Sequence, residues 1–303
     1  MRPPGTGTDE LAERLPDVEA VSVALDAVDY LSDPGLATAL FCAARLRQPL
    51  LLEGEPGVGK TEAARALAAV LDTPLVRLQC YEGIDAAEAL YEWDYPRQLL
   101  GIRLAEARGT ELGEGELFGR DYLVERPLLR AIEHPGPRPA VLLVDEVDRA
   151  DDEFEAFLLE LLADAAVTVP ELGTIHAVHP PVVVLTSNRT RDLHDALKRR
   201  CLYHWIDHPD LARSVAIIRR RVPAAATPLA EQAAATVLRL RGLGLQKPPG
   251  VSEAIDWVGV LDALGLVALD AEAADRTLGA VLKYREDLDQ ARAAGLDALV
   301  GEA

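Results

Sequence analysis

Short apolar runs alternate with amphipathic segments along the first two thirds of the chain. The apolar runs have strand length and occur at residues 49–52, 75–79, 140–144, 181–186 and 202–206. Segments with helical spacing occur at 33–46, 61–71, 97–108, 151–162 and 191–200. Residues 167–178 fit a strand, a turn and a second strand. This alternation predicts an α/β fold with a parallel sheet and right-handed crossovers.

Helical patterns alone continue after residue 209, so we expect a small all-helical domain after the α/β domain. At the other end, residues 1–16 are rich in Pro, Gly and Thr without any period, which predicts disorder. The expected organisation is a disordered segment at 1–16, an α/β domain at 17–208 and a helical domain at 209–303.

Composition narrows the class of partner. The 303 residues carry a formal net charge of −19, which argues against a general nucleic-acid surface, because such surfaces need Lys and Arg to displace counterions. Cys42, Cys80 and Cys201 form no close pair, so neither a zinc site nor a disulfide framework is indicated. The chain has no apolar run of the ~18 to 20 residues that a membrane span needs, and its first residues lack the apolar core of a secretory signal. We therefore expect a cytoplasmic protein.

The stretch GEPGVGKT at residues 54–61 fits the phosphate-binding pattern G-x-x-x-x-G-K-[ST]. It lies between a predicted buried strand and a predicted helix, as this motif requires. Gly57 and Gly59 allow backbone angles that turn N–H groups toward phosphate oxygens. Lys60 is expected to reach the β- and γ-phosphates of ATP, and Thr61 to coordinate Mg²⁺. The predicted nucleotide-contacting residues are Gly54, Glu55, Pro56, Gly57, Val58, Gly59, Lys60, Thr61 and Glu62.

An acidic pair follows the apolar run at 140–144, at the strand end where open α/β sheets bind ligands. Asp145 is predicted to hold Mg²⁺. Glu146 is predicted to orient and polarise the water that attacks the γ-phosphate. The alternative is that both residues cap the next helix, and the phosphate loop earlier in the chain argues against it.

Two further polar positions fit the same chemistry. Asn188, just past the run at 181–186, is predicted to hydrogen-bond the γ-phosphate and the attacking water; the alternative is a turn residue. Arg199 and Arg200 end a predicted helix, from which an arginine can reach the γ-phosphate of a neighbouring subunit. Compensation of the helix dipole is the alternative there.

Other residues allow simpler interpretations. Tyr91, Trp93 and Tyr95 alternate within YEWDY, either as core aromatics or as groups that grip a substrate in a central pore. His204 and His208 lack the cysteine or carboxylate company of a metal site. The three arginines at 219–221 are expected to form a solvated helix face.

Taken in order, GEPGVGKT, VLLVDE, VVVLTSN and KRRC resemble the AAA+ ATPases. The segments LQC, DEVDRADDEFEAFLLELLAD and VTVPELGTIHAV narrow the resemblance to the MoxR branch. Within that branch, LQCYEGIDAAEALYEWDY, SNRTRDLHDALKRRCLYHWIDHP and GLGLQKPPGVSEAIDW are similar to the CoxD-type subgroup, which is associated with maturation of carbon monoxide dehydrogenase and related molybdenum hydroxylases. The resemblance covers roughly residues 33–288. It implies an AAA+ P-loop core with a parallel sheet flanked by helices, followed by a small helical lid domain.

The resemblance also implies a mode of action. It indicates a chaperone-like remodelling ATPase that assembles as a ring, which we expect to be a hexamer. It implies a partner with a von Willebrand A domain and a protein client such as a molybdenum hydroxylase. A small-molecule kinase with the same phosphate loop and a DNA-directed AAA+ motor are the alternatives. ATP turnover with water alone would argue against the kinase. DNA binding with a steep salt dependence would support the DNA-directed motor.

The lid stretch departs from the pattern G-[AS]-S-x-R-[AG] of the MoxR branch. The matching residues at 250–255 read GVSEAI, so Ala254 stands where the branch has a nucleotide-sensing arginine. Lys247 and Arg276 are two substitutes between which the sequence does not choose.

Overall fold

The computed structural model describes residues 11, 13–110 and 112–301. The strands are β1 (Leu50–Glu53), β2 (Leu75–Gln79), β3 (Tyr91–Trp93), β4 (Leu123–Glu125), β5 (Val141–Asp145), β6 (Ala166–Val169), β7 (Gly173–His176), β8 (Val182–Ser187) and β9 (Leu202–Trp205). The helices are α1 (Val18–Ala27), α2 (Pro34–Leu46), α3 (Lys60–Leu71), α4 (Ala86–Leu90), α5 (Tyr95–Arg108), α6 (Glu114–Leu117), α7 (Pro127–Ile132), α8 (Asp152–Asp164), α9 (Asp195–Lys198), α10 (Leu211–Arg221), α11 (Thr227–Arg241), α12 (Val251–Ala263), α13 (Ala271–Thr277), α14 (Arg285–Ala294) and α15 (Leu296–Val300). Short 3₁₀ turns lie at Arg120–Tyr122, Val147–Arg149 and Leu278–Ala280.

Five strands form the central sheet, in the order β2-β5-β8-β1-β9. The pairs β2–β5, β5–β8 and β8–β1 are parallel, so the predicted parallel α/β core is confirmed. β5 and β8 are buried along their whole length, as expected for central strands of a parallel sheet. Because parallel strands end at the same edge, Glu53, Gln79, Asp145 and Ser187 lie along one carboxyl edge of the sheet.

Capping side chains determine where two of the predicted helices begin. The Asp33 carboxylate accepts from the Leu36 N–H at 2.8 Å, and Pro34 occupies the first helical position of α2. The Asp151 carboxylate likewise accepts from the Phe154 N–H at 2.9 Å at the start of α8. The sequence therefore located both helices correctly, and α8 continues two residues beyond its predicted end.

The chain forms two compact units. The first contains the sheet and comprises the segments up to Ala24, Asp33–Glu53 and Ala63–His204. Its core packs the strands against α7 and α8, through side chains such as Leu129 and Phe154.

The second unit comprises Leu25–Ser32, Gly54–Glu62 and Trp205–Ala303. Its core surrounds Trp257, which is 0% exposed and whose indole N–H donates to the Thr277 hydroxyl at 2.8 Å. In the described chain as far as residue 301, helices alone follow residue 209, as the sequence pattern predicts. The domain boundary expected between residues 208 and 209 remains a prediction.

The helix predicted at 191–200 is wrong in length, because only Asp195–Lys198 is α-helical. Arg191 forms an ion pair with the buried carboxylate of Glu155, and the His194 N–H donates to that carboxylate at 2.8 Å. These tertiary contacts hold residues 191–194 in a non-helical conformation that local propensity does not reveal.

Two irregular stretches also differ from expectation. The segment at 80–126 was expected to contain one helix, α5, and it also contains α4, α6 and the antiparallel pair β3–β4. Residues 1–10 and 12 of the segment expected to be disordered lie outside the described residues. Within the same segment, Leu11 and Leu15 are buried.

Candidate functional site

The phosphate loop, Gly54–Glu62, joins β1 to α3. Gly57 and Gly59 have φ angles of 78° and 97°, in the left-handed region that favours glycine. A Cβ atom on Gly57 would lie 2.8 Å from Glu253 Oε2 and 3.3 Å from Gly250 Cα. The left-handed backbone angle therefore favours glycine at position 57, and an added Cβ would also displace the Glu253 carboxylate.

The predicted phosphate-binding lysine is held at this loop. Lys60 is 7% exposed, and its Nζ donates to the Gly54 carbonyl at 2.7 Å and to the Glu55 carbonyl at 2.8 Å. α3 begins at Lys60 and has Thr61 in its first turn. A positive charge at a glycine-rich loop that leads into a helix N-terminus is suited to bind phosphate.

Two other segments of the second unit contact the loop. The Gly57 carbonyl accepts from the Ser252 N–H at 3.3 Å and from the Ser252 hydroxyl at 3.2 Å. The Tyr30 hydroxyl donates to the Gly59 carbonyl at 3.4 Å. The start of α12 and the segment before α2 are therefore both tied to the phosphate loop.

A cavity in the second unit lies beside the loop. Part of its wall is apolar and consists of Leu31, Val58, Ile206, Ile217 and Ile255. Charged side chains also line it, namely Asp29, Glu62, Asp207, Arg213 and Arg221. An apolar wall with a few convergent polar groups beside a phosphate loop suits the base and ribose of a nucleotide.

Two of the three arginines at 219–221 form ion pairs within the second unit. Arg221 lines the cavity and pairs with Glu62 at 3.3 Å, and Arg220 pairs with Asp26 at 2.7 Å. Arg219 and Arg221 are exposed, as expected for a solvated helix face, and the ion pairs of Arg220 and Arg221 add to that interpretation. The run of three arginines did not indicate these partners in the sequence, because Asp26 and Glu62 lie more than 150 positions earlier in the chain.

The position of the missing lid arginine is buried in the structure. Ala254 is 1% exposed and belongs to the core of the second unit. Within the described residues, neither Lys247 nor Arg276 lines the cavity beside the phosphate loop. Arg213 and Arg221 do line it, so they are better placed than either substitute suggested by the sequence.

Burial also lowers the pKa of two side chains of the second unit, His208 and Arg241. Burial is the main cause that lowers the pKa of His208, and the nearby Arg241 charge lowers it further. Burial likewise lowers the pKa of Arg241, while the Glu253 carboxylate acts in the opposite direction. His208 is therefore expected to stay neutral at pH 7.

Asp145, in the first unit, ends β5 and is 3% exposed. Its Oδ1 accepts from the Thr186 hydroxyl at 2.5 Å. Its Oδ2 lies 2.9 Å from Arg77 Nε and 2.6 Å from Arg77 Nη2. Two side chains that sequence reasoning missed therefore orient the predicted metal-binding carboxylate. The alternation of the strand at 75–79 was the only sequence signal for Arg77, and it does not indicate a partner.

Glu146 follows in a left-handed conformation, with φ of 55°. Its backbone N–H donates to the Thr186 hydroxyl at 2.9 Å, and Arg149 Nη1 lies 3.4 Å from Glu146 Oε2. A non-glycine residue with positive φ stores strain, and such strain concentrates at functional sites.

Asn188 follows β8 at the same carboxyl edge. The next residue, Arg189, has φ of 55°, and its Nε lies 3.8 Å from Glu53 Oε2. The Glu53 side chain, which is also buried, accepts from the Tyr203 hydroxyl at 3.0 Å. The first unit therefore brings Asp145, Glu146 and Asn188 to one edge of the sheet.

Arg199 and Arg200 come directly after α9. Both are exposed and follow the single turn of α9, which Leu197 anchors in the core. The Arg200 carbonyl accepts from Gln48 Nε2 at 3.4 Å. Their exposure leaves both side chains accessible to another molecule.

The YEWDY aromatics divide between core and surface. Trp93 is 7% exposed and makes edge-to-face contacts with Tyr91 and Phe118. Tyr95, at the start of α5, is 63% exposed. Trp93 thus fits the core interpretation, whereas Tyr95 is free to contact a partner.

The family follows from a sequence comparison. The profile of the AAA domain (dynein-related subfamily) matches residues 49–201, which include the phosphate loop, Asp145, Glu146 and Asn188. The chain belongs to this AAA family. Residues 49–201 therefore form an AAA+ ATPase domain, and the strand order and phosphate loop described above are those of its P-loop core.

Individual relatives are distant. Protein NorQ of Paracoccus denitrificans is 26% identical over 204 residues, which are 65% of this chain and 66% of NorQ. ATP-dependent zinc metalloprotease FtsH 1 of Sorangium cellulosum is 28% identical over 234 residues, which are 70% of this chain and 31% of that protein. The chain thus spans less than two thirds of the length of each relative. A RuvB mutant of Thermotoga maritima has a TM-score of 0.46 at 17% identity, over 92% of this chain and 73% of that chain.

In the part of the chain that the structure describes, no helix is long and apolar enough to cross a membrane.

Proposed function

We propose that the protein hydrolyses ATP as a MoxR-type AAA+ remodelling ATPase and uses the energy to act on a protein client. The observation that carries this proposal is the preformed phosphate loop, with two glycines at positive φ and the Lys60 ammonium held at its centre. Lys60 binds the β- and γ-phosphates. Glu146 orients and polarises the attacking water, and Asn188 hydrogen-bonds both that water and the γ-phosphate.

Thr61 and Asp145 are the residues that would hold Mg²⁺. Their chemistry fits this ion, because Mg²⁺ prefers oxygen ligands and the Asp145 carboxylate is already oriented by Thr186 and Arg77. When bound with ATP, the ion neutralises charge on the phosphates.

The active form in this proposal is a ring of subunits, with six as the expected number. Arg199 or Arg200 then acts in trans on the γ-phosphate of a neighbouring subunit. Their exposure in the isolated chain supports this role, since a cation on the transferring phosphoryl group is worth roughly 10³-fold or more in rate.

For the client, we propose the role implied by the CoxD-type resemblance. The protein would act in the cytoplasm with a partner carrying a von Willebrand A domain, and would assist maturation of a molybdenum hydroxylase. The net charge of −19 supports a protein client over a nucleic acid. Exposed Tyr95 on α5 offers a surface for protein contact.

Two substitutions test the ATPase mechanism. Lys60→Ala is expected to abolish binding of a fluorescent ATP analogue, because it removes the positive charge that binds the phosphates. Glu146→Gln should keep that binding and stop phosphate release, because it removes only the water-orienting carboxylate. Hydrolysis by Glu146→Gln at the wild-type rate would contradict the assignment.

The client is tested by trapping. The Glu146→Gln protein with ATP is mixed with a purified von Willebrand A protein or molybdenum hydroxylase from the same cell, and Lys60→Ala serves as the control that cannot bind ATP. ATP-dependent co-elution with Glu146→Gln alone would support the proposed client. Binding to DNA instead, with a steep dependence on salt, would leave only the ATPase assignment.

A further inference from the structure

Asp148 occupies an unusual position beside the site. It lies in the 3₁₀ turn Val147–Arg149, two residues after Glu146, and is 2% exposed. Its Oδ2 accepts from the Thr190 N–H at 2.8 Å, from the Thr190 hydroxyl at 2.7 Å and from the Asn188 N–H at 3.2 Å. One buried carboxylate oxygen therefore holds the loop that presents Asn188.

The loop needs this restraint because its backbone is strained. Arg189, between the two backbone donors, has φ of 55°, and a left-handed conformation is unfavourable for a residue that carries a side chain. Such a conformation persists only when its surroundings over-determine it. Bonds from Asp148 to the residues on both sides of Arg189 supply that restraint.

We propose that Asp148 is a positioning residue for ATP hydrolysis, which connects the turn bearing Glu146 to the loop bearing Asn188 and fixes the placement of the Asn188 side chain. This inference rests on the proposed role of Asn188. Asp148 itself touches neither nucleotide nor water in this scheme. It acts by holding two catalytic elements of neighbouring strands, β5 and β8, in one arrangement.

The second carboxylate oxygen of Asp148 indicates that the negative charge of this side chain contributes to its role. In the described structure, Asp148 Oδ1 is buried and has no hydrogen-bond partner. An asparagine would cost less to bury and could place its amide oxygen at the Oδ2 position. The carboxylate makes charge-assisted bonds, which are roughly twice as strong as neutral ones, so it holds the loop more firmly.

The test uses Asp148→Asn, Asn188→Ala and the double variant. Asp148→Asn keeps the shape and one acceptor, so we expect kcat to fall about tenfold while affinity for a fluorescent ATP analogue changes less than about twofold. Asn188→Ala should lower kcat further. In the Asn188→Ala background, Asp148→Asn should have no additional effect on kcat, because its action passes through Asn188.

Two other variants complete the design. Asp152→Asn removes an exposed carboxylate four residues away and should leave kcat unchanged, which controls for net charge. Thr190→Val removes the hydroxyl that donates to Asp148 Oδ2 at 2.7 Å and to the Asp148 carbonyl at 3.4 Å, and it should lower kcat about two- to threefold, again only when Asn188 is present. It provides the same test if Asp148→Asn fails to fold.

The possible results separate the two proposals. If Asn188→Ala has wild-type kcat, the proposed role of Asn188 fails, and the positioning role fails with it. If Asn188→Ala lowers kcat but Asp148→Asn and Thr190→Val do not, only the positioning role of Asp148 is overturned. The same holds if Asp148→Asn and Thr190→Val lower kcat by the same factor with and without Asn188. If Asp148→Asn lowers thermal stability but leaves kcat unchanged, Asp148 only stabilises the fold.

Discussion

Replacing Arg77 by alanine is expected to destabilise the first unit through the buried carboxylate of Asp145. Two guanidinium nitrogens of Arg77 lie 2.9 and 2.6 Å from Asp145 Oδ2, and the Asp145 side chain is 4% exposed. Removing one partner of a buried ion pair costs about 3–5 kcal/mol. The Arg77 side chain is 43% exposed, so water screens the pair and replaces part of its contribution. We therefore expect the free energy of unfolding to fall by about 2 kcal/mol.

Urea unfolding followed by circular dichroism measures this loss. Arg103→Ala, which changes an exposed arginine on α5, is the matched control and should change the free energy by less than about 0.5 kcal/mol. In an Asp145→Asn background, Arg77→Ala should cost much less, because the carboxylate charge is gone. An equal loss in both backgrounds, or a loss no larger than that of Arg103→Ala, would refute the reasoning.

Two further predictions concern the site and the ring. An Arg199/Arg200 double-alanine protein mixed with Lys60→Ala should recover part of the ATPase activity, because an intact phosphate loop from one subunit meets intact arginines from the other. If mixed assembly is verified and no ratio of the two proteins recovers activity, sites completed in trans are excluded. Gly57→Ala should weaken ATP binding about tenfold, since φ of 78° and a Cβ 2.8 Å from a glutamate oxygen both strain the loop. Its control is Gly83→Ala, which has φ of 85° and open space around the Cβ; equal effects of the two substitutions on ATP titrations would show that packing at the phosphate loop is irrelevant.

The local sequence was sufficient to predict the phosphate loop and the strands that carry the polar residues. A glycine-rich loop needs its glycines wherever it occurs, so GEPGVGKT identifies itself without tertiary information. Apolar runs such as those that became β5 and β8 identify central strands, and the residue after each run is then at the carboxyl edge. Asp145, Glu146 and Asn188 were predicted as site residues in this way.

Tertiary structure alone decided which side chains support these residues. Arg77 reaches Asp145 across 68 positions, and Thr190 reaches Asp148 across 42. Neither separation in sequence leaves a period or motif, because the partner segments are brought together only when the sheet forms. The same reason explains the short helix α9, since the buried Glu155 carboxylate holds residues 191–194 outside the helix that local propensity favours. Sequence patterns record local backbone preference and burial, whereas the partners of buried charges depend on which strands become neighbours.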